Sequence, residues 1–318
     1  MAVITGKAPG KIILFGEHAV VYRQPAIAIP VAKVKATARV FPDIESKPGR
    51  ISLQALDICL DTHLSDLSPK HPLAAAVYLT LETLQLEHIP SFVLQISSTI
   101  PIAAGMGSGA AISAAIIRGV SAFLGRPLPD SKVSELSYEV EKIHHGNPSG
   151  IDNNVISYGK PVYFKREQPI QFLKVKKETH WLIADSGVKT PTLETVSDLG
   201  KLHAGNPQYY DGIFHKIGLI TQKARQALIE GDNPVLGGLL NENHALLREL
   251  DVSSPELDRL TRAALDAGAK GAKLSGGGRG GNMIALVSAT KIDAIKKALY
   301  EAGAVNVIST KLAKESQA

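Results

Sequence analysis

The segment from Gly105 to Ala111 constrains the fold more than any other, because its three glycines run directly into a helix of small residues. The segment reads Gly-Met-Gly-Ser-Gly-Ala-Ala, and residues 112–125 continue it with alanine, serine and isoleucine. Glycines let the backbone approach an anion, and a helix that follows offers free N–H groups and the positive end of its dipole. The alternative is a tight strand-to-helix turn before a helix buried for packing. This segment by itself supports both interpretations equally.

Two common nucleotide-binding patterns are not met. Residues 105–110 fit the dinucleotide fingerprint G-x-G-x-x-[GA], but the helix after them leads into Gly125-Arg126-Pro127 and not into a strand ending in an acidic residue. A second glycine loop, at 276–281, precedes an apolar strand, so no helix N-terminus follows it to bind a pyrophosphate. The Walker A pattern is absent from the sequence. We therefore exclude a P-loop NTPase and disfavour a Rossmann fold.

Hydrophobic periodicity in the first half of the chain predicts both strands and helices. Residues 33–40 alternate polar and apolar side chains with period two, as in a half-buried strand. Residues 131–145 carry apolar side chains at helical spacing, at positions 133, 136, 140 and 143. Residues 46–70 contain proline and glycine and are expected to be irregular. Further strands are expected at 11–16, 26–30 and 92–96, and a further helix at 72–86.

A second unit is predicted to begin with a strand at 181–185. It continues with helices near 208–231, 234–250 and 255–267, then a strand at 283–287, a helix at 290–302 and a strand at 305–309. Strands and helices that alternate in this way predict an α/β or α+β class. The sequence therefore predicts an N-terminal domain at 1–179 and a C-terminal domain at 180–318.

Composition and charge exclude several classes of protein. The chain has 318 residues, of which 44% are hydrophobic and 20% charged, and this suits a packed core better than disorder. The net charge of +5 is spread along the sequence without the basic cluster typical of nucleic-acid binders. The single cysteine, Cys59, cannot form an intrachain disulfide, and no Cys/His cluster has metal-ligand spacing. With no apolar run of ~20 residues, we expect a soluble cytoplasmic protein that binds neither nucleic acid nor membrane.

Three segments read together identify a family. They are residues 7–22, KAPGKIILFGEHAVVY, then residues 101–111, and then residues 273–281, KLSGGGRGG. In this order the chain resembles the GHMP small-molecule kinases over both ends and its middle. The resemblance implies a two-domain fold, with an N-terminal α/β domain and a ferredoxin-like C-terminal domain. It also implies ATP as co-substrate, Mg²⁺ as cofactor, and binding of ATP and acceptor in the cleft between the domains.

A fourth segment, residues 145–152 (HGNPSGID), is similar to the corresponding stretch of the mevalonate kinases within that family. The resemblance implies phosphorylation of the 5-hydroxyl of mevalonate, a step of isoprenoid biosynthesis. The alternatives are a related kinase acting on phosphomevalonate, another mevalonate hydroxyl or a sugar, and a non-catalytic homologue that kept the fold. Retention of Lys11, Glu141 and Asp152 together argues against the last. The oligomeric state stays open, with a homodimer as one assembly to test.

The resemblance implies that Asp152 and Lys11 are the catalytic residues. Asp152 would accept the proton of the substrate hydroxyl, and Lys11 would keep Asp152 ionised, acidify that hydroxyl and offset charge on the transferring phosphoryl group. The alternatives are an Asx turn at Asp152 and a solvated turn residue at Lys11.

The second motif implies the ATP and metal ligands. Glu141 and Ser108 are expected to bind Mg²⁺, although Glu141 could also be an exposed helical residue. In the family the second motif commonly has two serines, the second of which binds the metal, and this chain has Gly109 at that second position, which predicts a metal site that is weaker or contains more water. The residues expected to contact ATP are Pro101, Ala104, Gly105, Met106, Gly107, Ser108, Gly109, Ala110 and Ala111.

Glu17 and His18 occupy positions where the family places substrate-contacting groups. His18 could donate a hydrogen bond to the mevalonate carboxylate or hydroxyl, or it could be a packing residue at a strand end. Arg279 stands where the third motif usually has glycine. Its side chain could meet a phosphate or the substrate carboxylate, or point outward.

Overall fold

A computed structural model describes residues 3–101, 105–145, 148–190 and 192–314. The chain divides into two compact units, each made of several segments. The first comprises Met1–Lys11, Val34–Ile102 and Gly107–Gly159, and the second comprises Ile12–Lys33, Ala103–Met106 and Lys160–Ala318. The domain boundary expected between residues 179 and 180 stays a prediction.

Within the described residues, the first unit contains a sheet and four α-helices. Strand β2 pairs antiparallel with β5, and β3 pairs parallel with β5 and antiparallel with β4. The expectation of an irregular segment at 46–70 is wrong, because Ile51 and Leu53 alternate with polar residues and bury their side chains in this sheet. The elements are β1 (Ile4–Phe15), β2 (Ala26–Pro42), β3 (Ile51–Ala55), β4 (Leu60–His63), α1 (Pro72–Leu84), β5 (Phe92–Ser98), α2 (Ser108–Phe123), α3 (Asp130–His145) and α4 (Ile151–Tyr158).

Helix α2 lies among the other three helices of this unit, which it contacts directly. Its alanines pack with almost no exposed surface, so the small side chains serve close packing as well as the loop that precedes them. In α3 the predicted apolar stripe is buried at Val133, Leu136 and Val140. Ile143 is 43% exposed, so the stripe ends one turn earlier than its periodicity predicts.

The second unit contains an antiparallel sheet in the order β11-β8-β10-β9. Counted within the sheet, this is the order fourth, first, third, second, which is the ferredoxin-like arrangement and confirms that prediction. Strand β2 also pairs with β6, and β6 with β7. The elements are β6 (Val162–Phe164), β7 (Gln171–Phe172), β8 (Thr179–Asp185), α5 (Thr192–Gly205), α6 (Pro207–Glu230), α7 (Asn233–Glu249), α8 (Pro255–Asp266), β9 (Gly271–Ser275), β10 (Asn282–Val287), α9 (Ile292–Glu301) and β11 (Asn306–Leu312).

Helix α7 covers the open edge of β9. The Ala272 N–H donates to Oδ1 of Asn241 at 3.0 Å, and the Leu274 N–H donates to Nδ1 of His244 at 3.4 Å. These two α7 residues are three apart and therefore share one helix face. They take the place of a further strand, which protects an edge that would otherwise expose backbone donors. The third motif begins within this covered strand, and its glycines follow directly after the strand ends at Ser275.

No helix in the described ranges is both long and apolar enough to cross a lipid bilayer.

Candidate active site

Lys11 and Asp152 form an ion pair within the first unit. Lys11 belongs to β1 and is only 5% exposed, and its Nζ lies 2.9 Å from Oδ1 of Asp152. Asp152 is in the first turn of α4, directly after Gly150 and Ile151, where the positive end of the helix dipole favours a carboxylate. Asp152 lies inside this helix and its carboxylate is paired with Lys11, so the structure favours the ion pair over the Asx-turn alternative. The carboxylate points to Lys11.

The glycine loop brings the start of α2 against the same lysine. Gly107 is the N-cap of α2, with φ of 72° in the left-handed region. A Cβ atom at Gly107 would lie 2.8 Å from Cδ1 of Ile156 and 3.0 Å from Cγ of Lys11. Only glycine combines that backbone angle with that approach. The free N–H groups of the first turn of α2 therefore open beside the Lys11 side chain, as the anion-binding interpretation requires.

Glu141 of α3 interacts electrostatically with both Lys11 and Asp152. Burial is the main cause that raises the pKa of Glu141 to about 7, the negative charge of Asp152 raises it further, and Lys11 opposes the shift. A Cβ atom at Gly109 would lie 3.4 Å from Oε1 of Glu141. The first turn of α2, which contains Ser108, therefore faces the Glu141 carboxylate. Burial disfavours the charged form of that carboxylate. Among the described residues, no group of three or more His, Cys, Asp or Glu side chains is placed to hold a metal ion.

His18 lies in the second unit in a strained backbone conformation. Its φ is 59°, which is uncommon for a residue with a side chain. The ring is buried, and Nε2–H donates to the carbonyl of Gly277 at 3.0 Å. Burial lowers the pKa of His18 to about 4, and the nearby charges of Lys273 and Arg279 act in the same direction. The imidazole is therefore neutral near pH 7, and its Nδ1 carries the lone pair.

Glu17 forms a buried ion pair with Lys273, a residue that the sequence singles out only as part of a motif. Lys273 Nζ donates to Oε1 of Glu17 and, at 2.6 Å, to the carbonyl of Leu274. The side chains of Lys273 and Glu17 are 0% and 1% exposed. Burial lowers the pKa of Lys273, and Glu17 opposes that shift. The pair ties the segment that contains His18 to the third glycine motif, and nothing in the local sequence indicates it.

Arg279 is held by acidic side chains in the second unit. Its Nη1 lies 2.9 Å from Oδ2 of Asp198, and its Nη2 lies 3.6 Å from Oδ2 of Asp251. Its backbone has φ of 54°, and its N–H donates to the Val252 carbonyl at 2.8 Å. The loop keeps a left-handed conformation at this position although glycine is absent. The guanidinium is paired with carboxylates of the protein, so neither a phosphate nor a substrate carboxylate is required to account for Arg279.

The remaining predicted ATP-binding residues are placed in part. Met106, Ala110 and Ala111 bury their side chains, so any contact from them to a nucleotide would be made by the backbone. Gly105, like Gly107, has a positive φ. Ala104 lies outside the described residues, as do Gly146 and Asn147 of the fourth segment.

A lysine–aspartate pair, a second carboxylate and a glycine-rich helix start are the parts of a phosphoryl-transfer site. Residues 72–160 match the GHMP kinases N terminal domain, and residues 224–305 match the GHMP kinases C terminal domain. The chain belongs to the GHMP kinases and is an ATP-dependent small-molecule kinase.

Several similar proteins are mevalonate kinases. The mevalonate kinase of Thermococcus sibiricus is 34% identical over 98% of this chain and 97% of its own length. The crystal structure of the Methanococcus jannaschii mevalonate kinase has a TM-score of 0.85 and 30% identity and covers 99% of both chains. The structure of L. major mevalonate kinase in complex with R-mevalonate has a TM-score of 0.83 and 27% identity, over 100% of this chain and 97% of the other. The resemblance found in the sequence is confirmed.

Proposed function

We propose that this kinase transfers the γ-phosphoryl group of ATP to the 5-hydroxyl of mevalonate, giving 5-phosphomevalonate. The observation that carries the proposal is the Lys11–Asp152 ion pair, 2.9 Å long, beside the glycine-rich start of α2. The full-length similarity to mevalonate kinases supports mevalonate as the acceptor.

Asp152 is the proposed proton acceptor. Its carboxylate takes the proton of the substrate hydroxyl as the oxygen attacks the γ-phosphorus. Lys11 donates to that carboxylate and presents its positive charge to the developing alkoxide and to the equatorial phosphoryl oxygens. Because Lys11 is almost fully buried, its charge is screened less than that of a surface lysine.

The residues around Glu141 fit a Mg²⁺ ion. A buried carboxylate whose pKa is raised to about 7 by burial and by a neighbouring carboxylate is a site that a hard cation stabilises. Glu141 and the hydroxyl of Ser108 would hold the ion, with water and phosphate oxygens supplying other ligands. When bound, Mg²⁺ supplies charge neutralisation for the phosphates of ATP. The N–H groups at the start of α2, within residues 105–111, are the proposed phosphate ligands.

His18 and Glu17 are the proposed substrate-contacting residues. The hydrogen bond from Nε2–H of His18 to Gly277 supports Nδ1 as an acceptor, so His18 would receive a hydrogen bond from a hydroxyl of mevalonate. A neutral ring suits a hydroxyl better than a carboxylate. The paired Glu17 would hold the backbone of His18 in place. Assembly as a homodimer and a cytoplasmic location are further proposals.

The test is ADP release with ATP and Mg²⁺ in the presence of mevalonate, phosphomevalonate, homoserine or galactose. We expect turnover with mevalonate, with ³¹P–¹H coupling in the product that places the phosphate on C5. Asp152→Asn should lower kcat by about 10²- to 10⁴-fold, the usual contribution of a positioned base. Glu139→Gln, an exposed neighbour of Glu141 on the same helix, is the matched control and should keep wild-type kcat.

Turnover of another acceptor in place of mevalonate would support the proposed phosphoryl transfer but contradict mevalonate as the substrate. If no ADP is released with any of the four acceptors although ATP still binds, the result would favour a homologue that binds ATP without catalysing phosphoryl transfer.

A further inference from the structure

One arginine donates to three elements of the first unit. Arg118 lies in the third turn of α2, and its Nη1 donates to the carbonyl of Lys7 in β1 at 2.9 Å. Its Nη2 donates to the carbonyl of Ser157 in α4 and, at 2.6 Å, to Oδ1 of Asp130, the first residue of α3. A guanidinium has five donors in a fixed planar fork, so one side chain can make all these bonds.

The two carbonyl acceptors belong to the elements that carry Lys11 and Asp152. Lys7 precedes Lys11 in β1, and Ser157 follows Asp152 in α4. With about 3.3 Å per strand residue and about 1.5 Å per helix residue, the bonds lie roughly 13 Å and 8 Å along the chain from the paired residues. Because a strand and a helix move as stiff bodies over such lengths, a shift at Arg118 is carried to the ion pair.

Close packing fixes β1 on α2 next to the same arginine. A Cβ atom at Gly6 would lie 2.1 Å from the carbonyl oxygen of Ala115 and 2.4 Å from the nitrogen of Gly119. The two backbones therefore touch at Gly6, and α2 meets β1 again where Gly107 approaches Lys11. Packing sets how closely these elements approach, and the hydrogen bonds of Arg118 add a directional link from α2 to β1 and to α4.

We propose that Arg118 is a positioning residue that locks β1 to α4 across α2 and thereby sets the distance between Lys11 and Asp152. This inference rests on the proposed function, since it concerns the pair that is proposed to carry the chemistry. The competing view is that Arg118 forms a surface ion pair with Asp130, whose side chain is 52% exposed, and that the carbonyl bonds have no consequence for the reaction.

The experiment compares kcat, KM and stability in a set of variants. Arg118→Ala should lower kcat by about tenfold to a hundredfold, the effect of a small misplacement, while KM for ATP and for mevalonate changes less than about twofold. Arg118→Lys keeps the charge but not the fork, so we expect an intermediate kcat. Asp130→Asn removes only the carboxylate and should keep kcat near the wild-type value. Val120→Ala opens a cavity in the same helix and controls for lost stability.

A double-variant cycle separates positioning from general weakening. If Arg118 acts through the ion pair, Arg118→Ala should cost little further kcat in the Asp152→Asn background. Equal losses in both backgrounds, a wild-type kcat in folded Arg118→Ala, or an equal loss in Asp130→Asn would overturn the proposal. Should Arg118→Ala fail to fold, Arg118→Lys takes its place in the cycle. Added methylguanidine should restore kcat in Arg118→Gly, which leaves room for it, and should not restore kcat in Arg118→Lys.

The positioning role of Arg118 can be tested whether or not mevalonate is the acceptor substrate. If the wild-type enzyme does not phosphorylate mevalonate, the proposed function fails by itself, and a crystal structure of Arg118→Lys still gives the distance from Lys11 Nζ to Asp152 Oδ1. An unchanged distance would overturn the positioning role, and a longer one would support it.

Discussion

A side chain at position 109 would begin 3.4 Å from Oε1 of Glu141, so Gly109 leaves open the space that faces the proposed metal ligand. The separation is an ordinary van der Waals contact, and Gly109 lies within α2 in a helical conformation. A serine would fit and would bring a hydroxyl to the carboxylate. We therefore expect Gly109 to leave room for a water molecule at the proposed metal site.

We predict that Gly109→Ser lowers the Mg²⁺ concentration that gives half-maximal activity. One protein hydroxyl in place of water is worth about 1 kcal/mol, which corresponds to roughly a fivefold change. Gly109→Ala has the same backbone effect without the oxygen and should not shift the Mg²⁺ dependence. Titration of activity with Mg²⁺ at saturating ATP measures the change, and equal shifts in both variants would contradict the ligand role.

The buried pair of Glu17 and Lys273 should couple strongly in stability. Lys273→Met leaves a carboxylate that is 1% exposed without this partner, and we expect a loss of about 3 kcal/mol in the free energy of unfolding. Glu17→Leu combined with Lys273→Met removes both charges and should be more stable than Lys273→Met alone. Urea denaturation of the two variants measures the difference. A double variant that is less stable than Lys273→Met alone would contradict the coupling.

Acid should weaken the fold through His244. Burial lowers the pKa of His244 to about 4, against the opposing effect of Asp258, so the folded protein favours the neutral ring. The stability that this preference provides is present above pH 6.5, the ordinary value, and is lost as the pH falls toward 4. Between pH 7 and pH 5 the loss from His244 is on the order of 2 kcal/mol.

His244→Gln isolates this effect, because glutamine can accept from the Leu274 N–H and donate to Asp258 without titrating. Urea unfolding at pH 7 and pH 5 should show a smaller loss in the variant than in the wild type. The comparison is needed because the raised pKa of Glu141 acts with opposite sign and stabilises the fold as the pH falls. Identical losses in both proteins would refute the assignment.

Gly6 should not tolerate a side chain. Its Cβ would overlap the α2 backbone at 2.1 Å from the Ala115 carbonyl oxygen, and overpacking of this kind costs about 3 kcal/mol. Gly212→Ala is the matched control, because a Cβ there meets nothing within 4 Å and the residue lies inside α6. The control should gain up to about 1 kcal/mol from helix propensity. Thermal unfolding midpoints of the two variants measure the contrast.

Several long elements were predictable from the sequence because their signals are local, although α5 was not predicted and β2 was expected as two strands, at 26–30 and 33–40. The helices at 207–230 and 233–249 and the strand at 282–287 lie within a residue or two of their predicted bounds. Three of the shortest strands were not predicted. Strands β3 and β4 fall in a segment expected to be irregular, and β9 has no distinct signal, because the conformation of four or five residues is decided by the neighbours they pair with.

The features of the candidate site also separate into those that local sequence predicts and those that depend on the folded chain. The sequence by itself determined the residue types that phosphoryl transfer needs, their order along the chain and the glycines that allow a close approach, because motif and backbone freedom are properties of short segments. Only the tertiary structure decided that Glu17 pairs with a lysine 256 residues away, that Arg279 faces carboxylates, and that Arg118 joins β1 to α4. Charges respond to burial and to whichever groups lie within a few ångströms, and those neighbours come together only when the chain has folded.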